Sequence, residues 1–324
     1  MIVSFANAAR FPRRADGAPM DVVLQQLLNW LALGCIYALL AIGFSLLFGV
    51  LNLVHFSHGD VSLVAPFVAL ASVQILLGTP IAGAGFATLL AGGLLAIAAV
   101  ACLGILLERI VIRPFLDSPA LMTLVATVAL GIVVRELIRH LYPEGSNPHF
   151  FPNPLAFPAF AIGRVNVTWF ALANILTTTI LLSLLFLFLH RTPLGLRIRA
   201  VSQDREAARL FGIRPDRIFA VTFAIAAGSG AVAGLFFAAH MGVTRFDFGV
   251  QAGLMGFSAA VIGGLGSMAG AILGGLILAG LETFVQAAVP DGTAYRIVFA
   301  FTLVIAVLVF RPAGLLGRPV VPKV

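Results

Sequence analysis

The sequence predicts an all-α protein, a polytopic bundle of membrane-spanning helices, and three observations carry that prediction. Charge is scarce: 10% of the 324 residues are charged and 60% are hydrophobic, whereas soluble domains carry about 25% charged residues. Mean hydropathy is correspondingly high, at +1.08. The apolar residues arrive in blocks that meet or approach the roughly 20 residues needed to cross about 30 Å of hydrocarbon. The basic residues, nineteen Arg and the single Lys323, collect in short connections between those blocks. A soluble fold would need a very large core with almost no surface.

Taken in order, the blocks lie near 27–49, 61–77, 82–107, 119–138, 168–189, 218–239 and 294–310, with a longer apolar region at 253–289. Simple hydropathy therefore gives eight segments. The 37 residues of the last region would make a helix of about 55 Å, too long for one straight crossing. Gly263-Gly264-Leu265-Gly266-Ser267 at its centre reads as a turn, so the preferred arrangement has nine crossings, with a single crossing of 253–289 as the alternative. Residues 1–19 carry Arg10, Arg13 and Arg14, but the block that follows is too long for the apolar core of a signal peptide. They read as a non-native or disordered extension, with translation expected to start at Met20. The remainder, 20–324, reads as one transmembrane domain interrupted by a basic loop at 190–217.

Arginine sets the sidedness. The loop 190–217 holds seven Arg against three acids, which marks it as cytoplasmic under the positive-inside rule. Counting spans from it puts 142–167, 78–81 and the N-terminus outside, 50–60 and 108–118 inside, 241–252 outside, and the tail with Arg311, Arg318 and Lys323 inside. The net charge of +7 is explained by this bias and gives no reason to invoke nucleic acid.

Several classes of chemistry are missing. The only lysine is Lys323, so no Walker A lysine exists and the chain cannot itself be an ATPase of that type. No HExxH, CxxC or GxSxG occurs. Cys35 and Cys102 read as small buried hydrophobes. Arg135, Glu136 and Glu282 are placed toward exterior helix ends and Asp60 at the start of a span, a pattern that argues against an ion-coupled carrier with midplane carboxylates.

Three constellations remain. Within the basic loop, Ser202 or Asp204 can cap a short helix and Gly212 can end it in a left-handed conformation. Arg205 and Arg209 fall one turn apart, and Ala207, Ala208, Leu210 and Phe211 offer small and apolar contact surface. Such a helix suits a groove on another protein and equally the lipid headgroups. The second constellation is glycine at spacings of four: Gly266, Gly270, Gly274, and again Gly230 and Gly234. In lipid, small residues let helices approach closely, either within the subunit or where a Gly-rich break lines a path or meets a second subunit. The third is Asn52, His55, His58, Gly59 and Asp60, the polar cluster between the first two spans. It reads either as a plain cytoplasmic loop or as lining of a path or inner gate. His55 and His58 lack an evident third ligand, so no metal and no cofactor are expected.

Glu206-Ala207-Ala208-x-x-x-Gly212 matches the E-A-A-x-x-x-G loop by which importer permeases contact their ATPases. The stretch around it resembles the branched-chain amino acid ABC-transporter permease family, as do Ile36-Tyr37-Ala38-Leu39-Leu40-Ala41-Ile42-Gly43 and Asn52-Leu53-Val54-His55-Phe56-Ser57-His58-Gly59-Asp60. Glu108-Arg109-Ile110-Val111-Ile112-Arg113-Pro114, Ala260-Val261-Ile262-Gly263-Gly264-Leu265-Gly266-Ser267 and Arg311-Pro312-Ala313-Gly314-Leu315-Leu316-Gly317 extend the likeness over about residues 22–320. Asp60 stands where Glu is common in that family, a change that keeps the carboxylate. The resemblance implies a type II-like permease in a bacterial inner membrane. It would work beside a second permease, two cytoplasmic ATP-binding subunits and a periplasmic solute-binding protein. The solute would be a branched-chain or related amino acid, or alternatively urea, an amide or an aromatic acid. It also implies that Arg205, Glu206, Ala207, Ala208, Arg209 and Gly212 form the coupling helix. The rival of another class is an ion-coupled secondary transporter.

Overall fold

A peptide chain in hydrocarbon must satisfy every backbone donor and acceptor internally, which leaves helices as the economical solution for long apolar runs. The computed structural model describes residues 19–76, 85–116, 118–163, 165–289 and 292–317. The extension before residue 19, the connection 78–81, Arg164, Arg318 and Lys323 lie outside the described residues. Twelve helices are found among them. α1 (Pro19–Leu51) is followed by the short α2 (His58–Ser62) and α3 (Val64–Ala71), which continues into a π-turn at Ser72–Leu76. α4 (Phe86–Leu107), α5 (Ala120–Leu141) and α6 (Trp169–Arg191) come next. Then come α7 (Pro193–Gln203), α8 (Arg205–Leu210), α9 (Pro215–Met241), α10 (Phe248–Gly263), α11 (Met268–Ala288) and α12 (Gly292–Phe310). Seven helices are long and apolar enough to span a membrane, and α10 is a shorter apolar one.

The apolar region 253–289 is two helices. Gly264 (φ +107°) and Gly266 (φ +84°) adopt backbone conformations that side chains other than glycine resist. Ser267 then caps α11 by accepting from Gly270 N at 3.1 Å. α11 folds back antiparallel on α10: Gly270 lies against the backbone of Gly263, and Gly274 against Ala259. Those glycines therefore serve packing inside this subunit.

α1 runs through the middle of the bundle against α6, α9, α10 and α11, while α4 packs on α3 and α9. α4, α5, α6 and α12 form the periphery, with large apolar side chains turned outward. Cys35 is buried, but Cys102 is exposed on α4, contrary to the expectation of two buried thiols. Cys102 faces outward because the α4 surface around it belongs to the periphery.

Loops that the arginine pattern assigns to one side meet one another. β1 (His149–Phe150) pairs with β4 (Val243–Thr244), and the backbone N–H of Asn166, in β3 (Val165–Thr168), which pairs with β2 (Pro158–Ile162), donates to Gln25 Oε1 near the start of α1 at 3.0 Å. At the opposite end, Arg113 Nη2 donates to the Asp216 carbonyl at 3.2 Å, and Ser45 Oγ donates to the Ser267 carbonyl at 3.1 Å.

Candidate functional site

The basic loop folds as two helices. Thr192 caps α7, accepting from Gly195 N at 3.0 Å, and Pro193 occupies the first helical turn. Ile198 and Val201 bury one α7 face in the core. Asp204 ends α7 and caps α8, its Oδ1 accepting from Glu206 N and Ala207 N, both at 2.9 Å. Ser202 does not cap; its hydroxyl donates to the Arg199 carbonyl. Gly212 closes α8 at φ +76°, with its N–H to Arg209 O and the Ile213 N–H reaching back to Ala208 O at 3.1 Å. This six-to-one closure is a Schellman motif, which requires the left-handed residue that glycine supplies.

α8 is thus held at both ends and anchored underneath. Ala208 is buried, Arg205 stacks over the Phe219 ring of α9 at 5.6 Å, and Arg209 pairs with Glu206 at 2.9 Å. Beyond this anchor, Leu210 is 89% and Phe211 86% exposed. The helix presents a rigid apolar tip.

The second site is buried. After α1 ends, the chain turns at Asn52 (φ +54°), which is itself exposed and apart from the rest of its predicted cluster. It then folds back into the bundle. His55, Ser57, His58 and Asp60 are all buried. A Cβ added to Gly43 of α1 would overlap the His58 imidazole, and one on Gly230 of α9 would meet Ser62 Oγ. One on Gly131 of α5 would come within 2.5 Å of Asp60 Oδ2, and Gly249 and Gly253 of α10 abut Asp60 and Gly59. Missing side chains on four helices therefore make the socket for α2. The His58 ring meets Gly43, more than two turns before the end of α1, and Gly230, about four turns after the start of α9, so it lies well inside the run of both helices.

This geometry corrects the picture of a plain cytoplasmic loop at 50–60. Arg135, Glu136 and Glu282 do lie within about two turns of the ends of α5 and α11, but Asp60 and Glu282 are buried. Asp60 Oδ1 lies 3.5 Å from Arg135 Nε, an ion pair between α2 and α5 inside the bundle. The clearest miss is Glu282, buried on α11, whose Oε2 accepts from Tyr37 Oη of α1 at 3.0 Å. A lone carboxylate within the apolar run Met268–Ala288 was the available signal; its partner, 245 positions away, was not legible. His58 Nε2, His55 Nδ1 and Glu282 Oε1 are buried without a hydrogen-bond partner among the described residues. No group of three or more His, Cys, Asp or Glu among the described residues is arranged to hold a metal.

The structure thus sets out two features, a capped helix with an exposed apolar tip and a short polar helix held inside the bundle. The family model described as "Branched-chain amino acid transport system / permease component" matches residues 26–308. The chain belongs to that family. It is 33% identical over 303 residues to the high-affinity branched-chain amino acid transport system permease protein BraD of Pseudomonas aeruginosa, covering 93% of this chain and 98% of that one. To LivH of Escherichia coli K12, a permease protein of the same kind of system, it is 33% identical over 306 residues, covering 93% and 97%. A shorter match, 35% over 81 residues and 23% of each chain, joins it to the fructose import permease protein FruF of Bifidobacterium longum. The family is a transport permease component, and the seven apolar helices make this member a multi-pass membrane permease.

Proposed function

We propose that this chain is the pore-forming subunit of an ATP-driven importer of branched-chain or related amino acids in a bacterial inner membrane. In this reading residues 20–324 act as one permease domain beside a second permease, two cytoplasmic ATP-binding subunits and a periplasmic solute-binding protein. ATP hydrolysis belongs to the partners, because Lys323 is the only lysine and no Walker A motif can be built around it.

The observation that supports this best is α8: a helix fixed at both ends by Asp204 and Gly212, with Leu210 and Phe211 left open. Apolar side chains held this rigidly in water suit a groove on another protein. Arg205, Glu206, Ala207, Ala208, Arg209 and Gly212 would carry the push of the closing ATP-binding pair into α9 and α7. His55, His58, Gly59 and Asp60 would respond at depth, because α2 rests directly on α9 and α10.

The test is reconstitution with the partner subunits in vesicles. Replacing Gly212 with Pro, or Leu210 and Phe211 together with Ser, is expected to cut solute uptake by at least about tenfold, since coupling free energies of about 1–3 kcal/mol correspond to about 5–150-fold. The permease itself should still insert and unfold at its usual temperature. Normal uptake by these variants contradicts the role of α8. Accumulation against a gradient by the chain alone, without any ATPase, contradicts the ATP-driven reading and favours an ion-coupled carrier built on the Asp60–Arg135 pair.

A further inference from the structure

Where α4 ends and α9 begins, the cytoplasmic face holds an open cleft of about 750 Å³. Five guanidinium groups line it: Arg109 and Arg113 from the turn after α4, and Arg209, Arg214 and Arg217 from the α8–α9 corner. Asp216 is the one carboxylate on the wall. Two of the five are already engaged. Arg113 grips Glu108 through two bonds of 3.0 Å, and Arg209 holds Glu206. Arg109, Arg214 and Arg217 form no ion pair among the described residues. The N-terminus of the 27-residue α9 opens beside them, adding the partial positive charge of its unpaired N–H groups.

We propose that this cleft is a binding site for the phosphate headgroup of an anionic membrane lipid. Charge alone would suit any anion, so the case rests on position. The cleft lies where two spans meet water, at the end of Phe86–Phe115 and the start of Pro215–Met241. Its α4 wall continues outward as exposed apolar surface: Ile110, adjacent to Arg109, is 63% exposed, and Leu106, one turn before it, is 51% exposed. A molecule with phosphate at one end and acyl chains at the other meets guanidinium first and apolar wall next, in the order in which a lipid is built. Basic pockets between helices on the cytoplasmic side suit multiply charged headgroups such as cardiolipin. A headgroup there would tie the end of α4 to α8 and α9, and would relieve repulsion among three otherwise unneutralised arginines. The site goes beyond the transport role proposed above and does not depend on it.

The experiment uses the full-length permease purified from membranes with the partners it retains. Bound phospholipid is measured by native mass spectrometry, and thermal unfolding is followed with cardiolipin, phosphatidylcholine or inorganic phosphate added. The wild-type protein is expected to retain anionic phospholipid and to be stabilised by cardiolipin over phosphatidylcholine. Arg109→Gln with Arg217→Gln should weaken retention about tenfold or more. If that double variant does not insert, the single variants Arg109→Gln, Arg214→Gln and Arg217→Gln give the same reading at smaller effect. Equal lipid retention by wild type and variants overturns the proposal. So does stabilisation by inorganic phosphate that matches cardiolipin. Loss of the ATP-binding subunits from the variants with lipid retention unchanged would overturn it too, assigning these arginines to carboxylates of a partner protein.

Discussion

α1 and α12 are both strongly apolar, yet they occupy opposite environments. Of the most apolar 18 residues of α1, 83% are buried within the subunit; for α12 the figure is 11%. Hydropathy cannot separate them, because lipid tails are as apolar as a protein core. What separates them is close glycine contacts and polar partnership. α1 carries Gly34 against Leu276, Gly43 under His58 and Gly49 beside Gly266. Its Trp30 Nε1 donates to the Leu276 carbonyl at 2.6 Å, and Asn174 Nδ2 of α6 donates to its Ala32 carbonyl at 2.7 Å. α12 instead turns Val298, Ile305, Val309 and Phe310 outward. In this molecule both the interior and the rim carry large apolar side chains, Ile36, Leu39 and Leu40 of α1 among the buried ones, and what marks the interior is the glycines and polar contacts set among them.

The largest effect expected from that contrast is at Gly59. An alanine there would drive its methyl group into the backbone of Gly253 and Gly249, where nothing can swing aside. Gly59→Ala should cost more than about 3 kcal/mol and yield little monodisperse protein on size-exclusion chromatography. Gly228 lies on α9 with Ala101 Cβ no closer than 3.8 Å. Gly228→Ala should leave thermal stability unchanged or raise it by about 0.5–1 kcal/mol. Equal behaviour of the two variants would dissolve the distinction between socket and ordinary helix.

Next comes Tyr37→Phe, which leaves Glu282 buried with no donor. It should cost about 1–3 kcal/mol in reversible unfolding or a lowered Tm. The exposed pair Glu136–Arg139 on α5 supplies the control, with Glu136→Gln expected to change stability by less than about 0.5 kcal/mol. Removal of residues after Phe310 should fall in between. The Leu315 and Leu316 N–H groups donate to the Ile262 and Gly263 carbonyls at 2.9 and 2.8 Å, and their loss should cost about 1–2 kcal/mol. The smallest effect is expected for Val309→Ala, which is 70% exposed and should shift stability by less than about 0.5 kcal/mol. A large loss at Val309 would show that this face is covered by a partner subunit and not by lipid.

What could be read from the chain follows the range of the forces involved. The break at Gly263–Ser267, the Asp204 cap and the Gly212 stop depend on residues within one or two turns of each other, and such signals survive in sequence. The return of His55–Asp60 into the bundle depends on absent side chains at Gly43, Gly131, Gly230, Gly249 and Gly253. Each of these alone reads as an unremarkable small residue. The charge pattern of 190–217 does not divide α7 from the rest of the loop, although Thr192-Pro193 is a start signal of the usual kind. Arg135 lies near the end of α5, and its pairing with Asp60 of α2 is a long-range contact that no local pattern carries.

The segment Arg311–Gly317 lies against the turn between α10 and α11, with Gly314 (φ +77°) pressed on Gly264. It supplies the N–H groups that the end of α10 would otherwise lack. The corner between α10 and α11 therefore closes only once the chain has passed through α12 and come back to it. A protein cut after Phe310 would keep both helices and lose the latch that joins them.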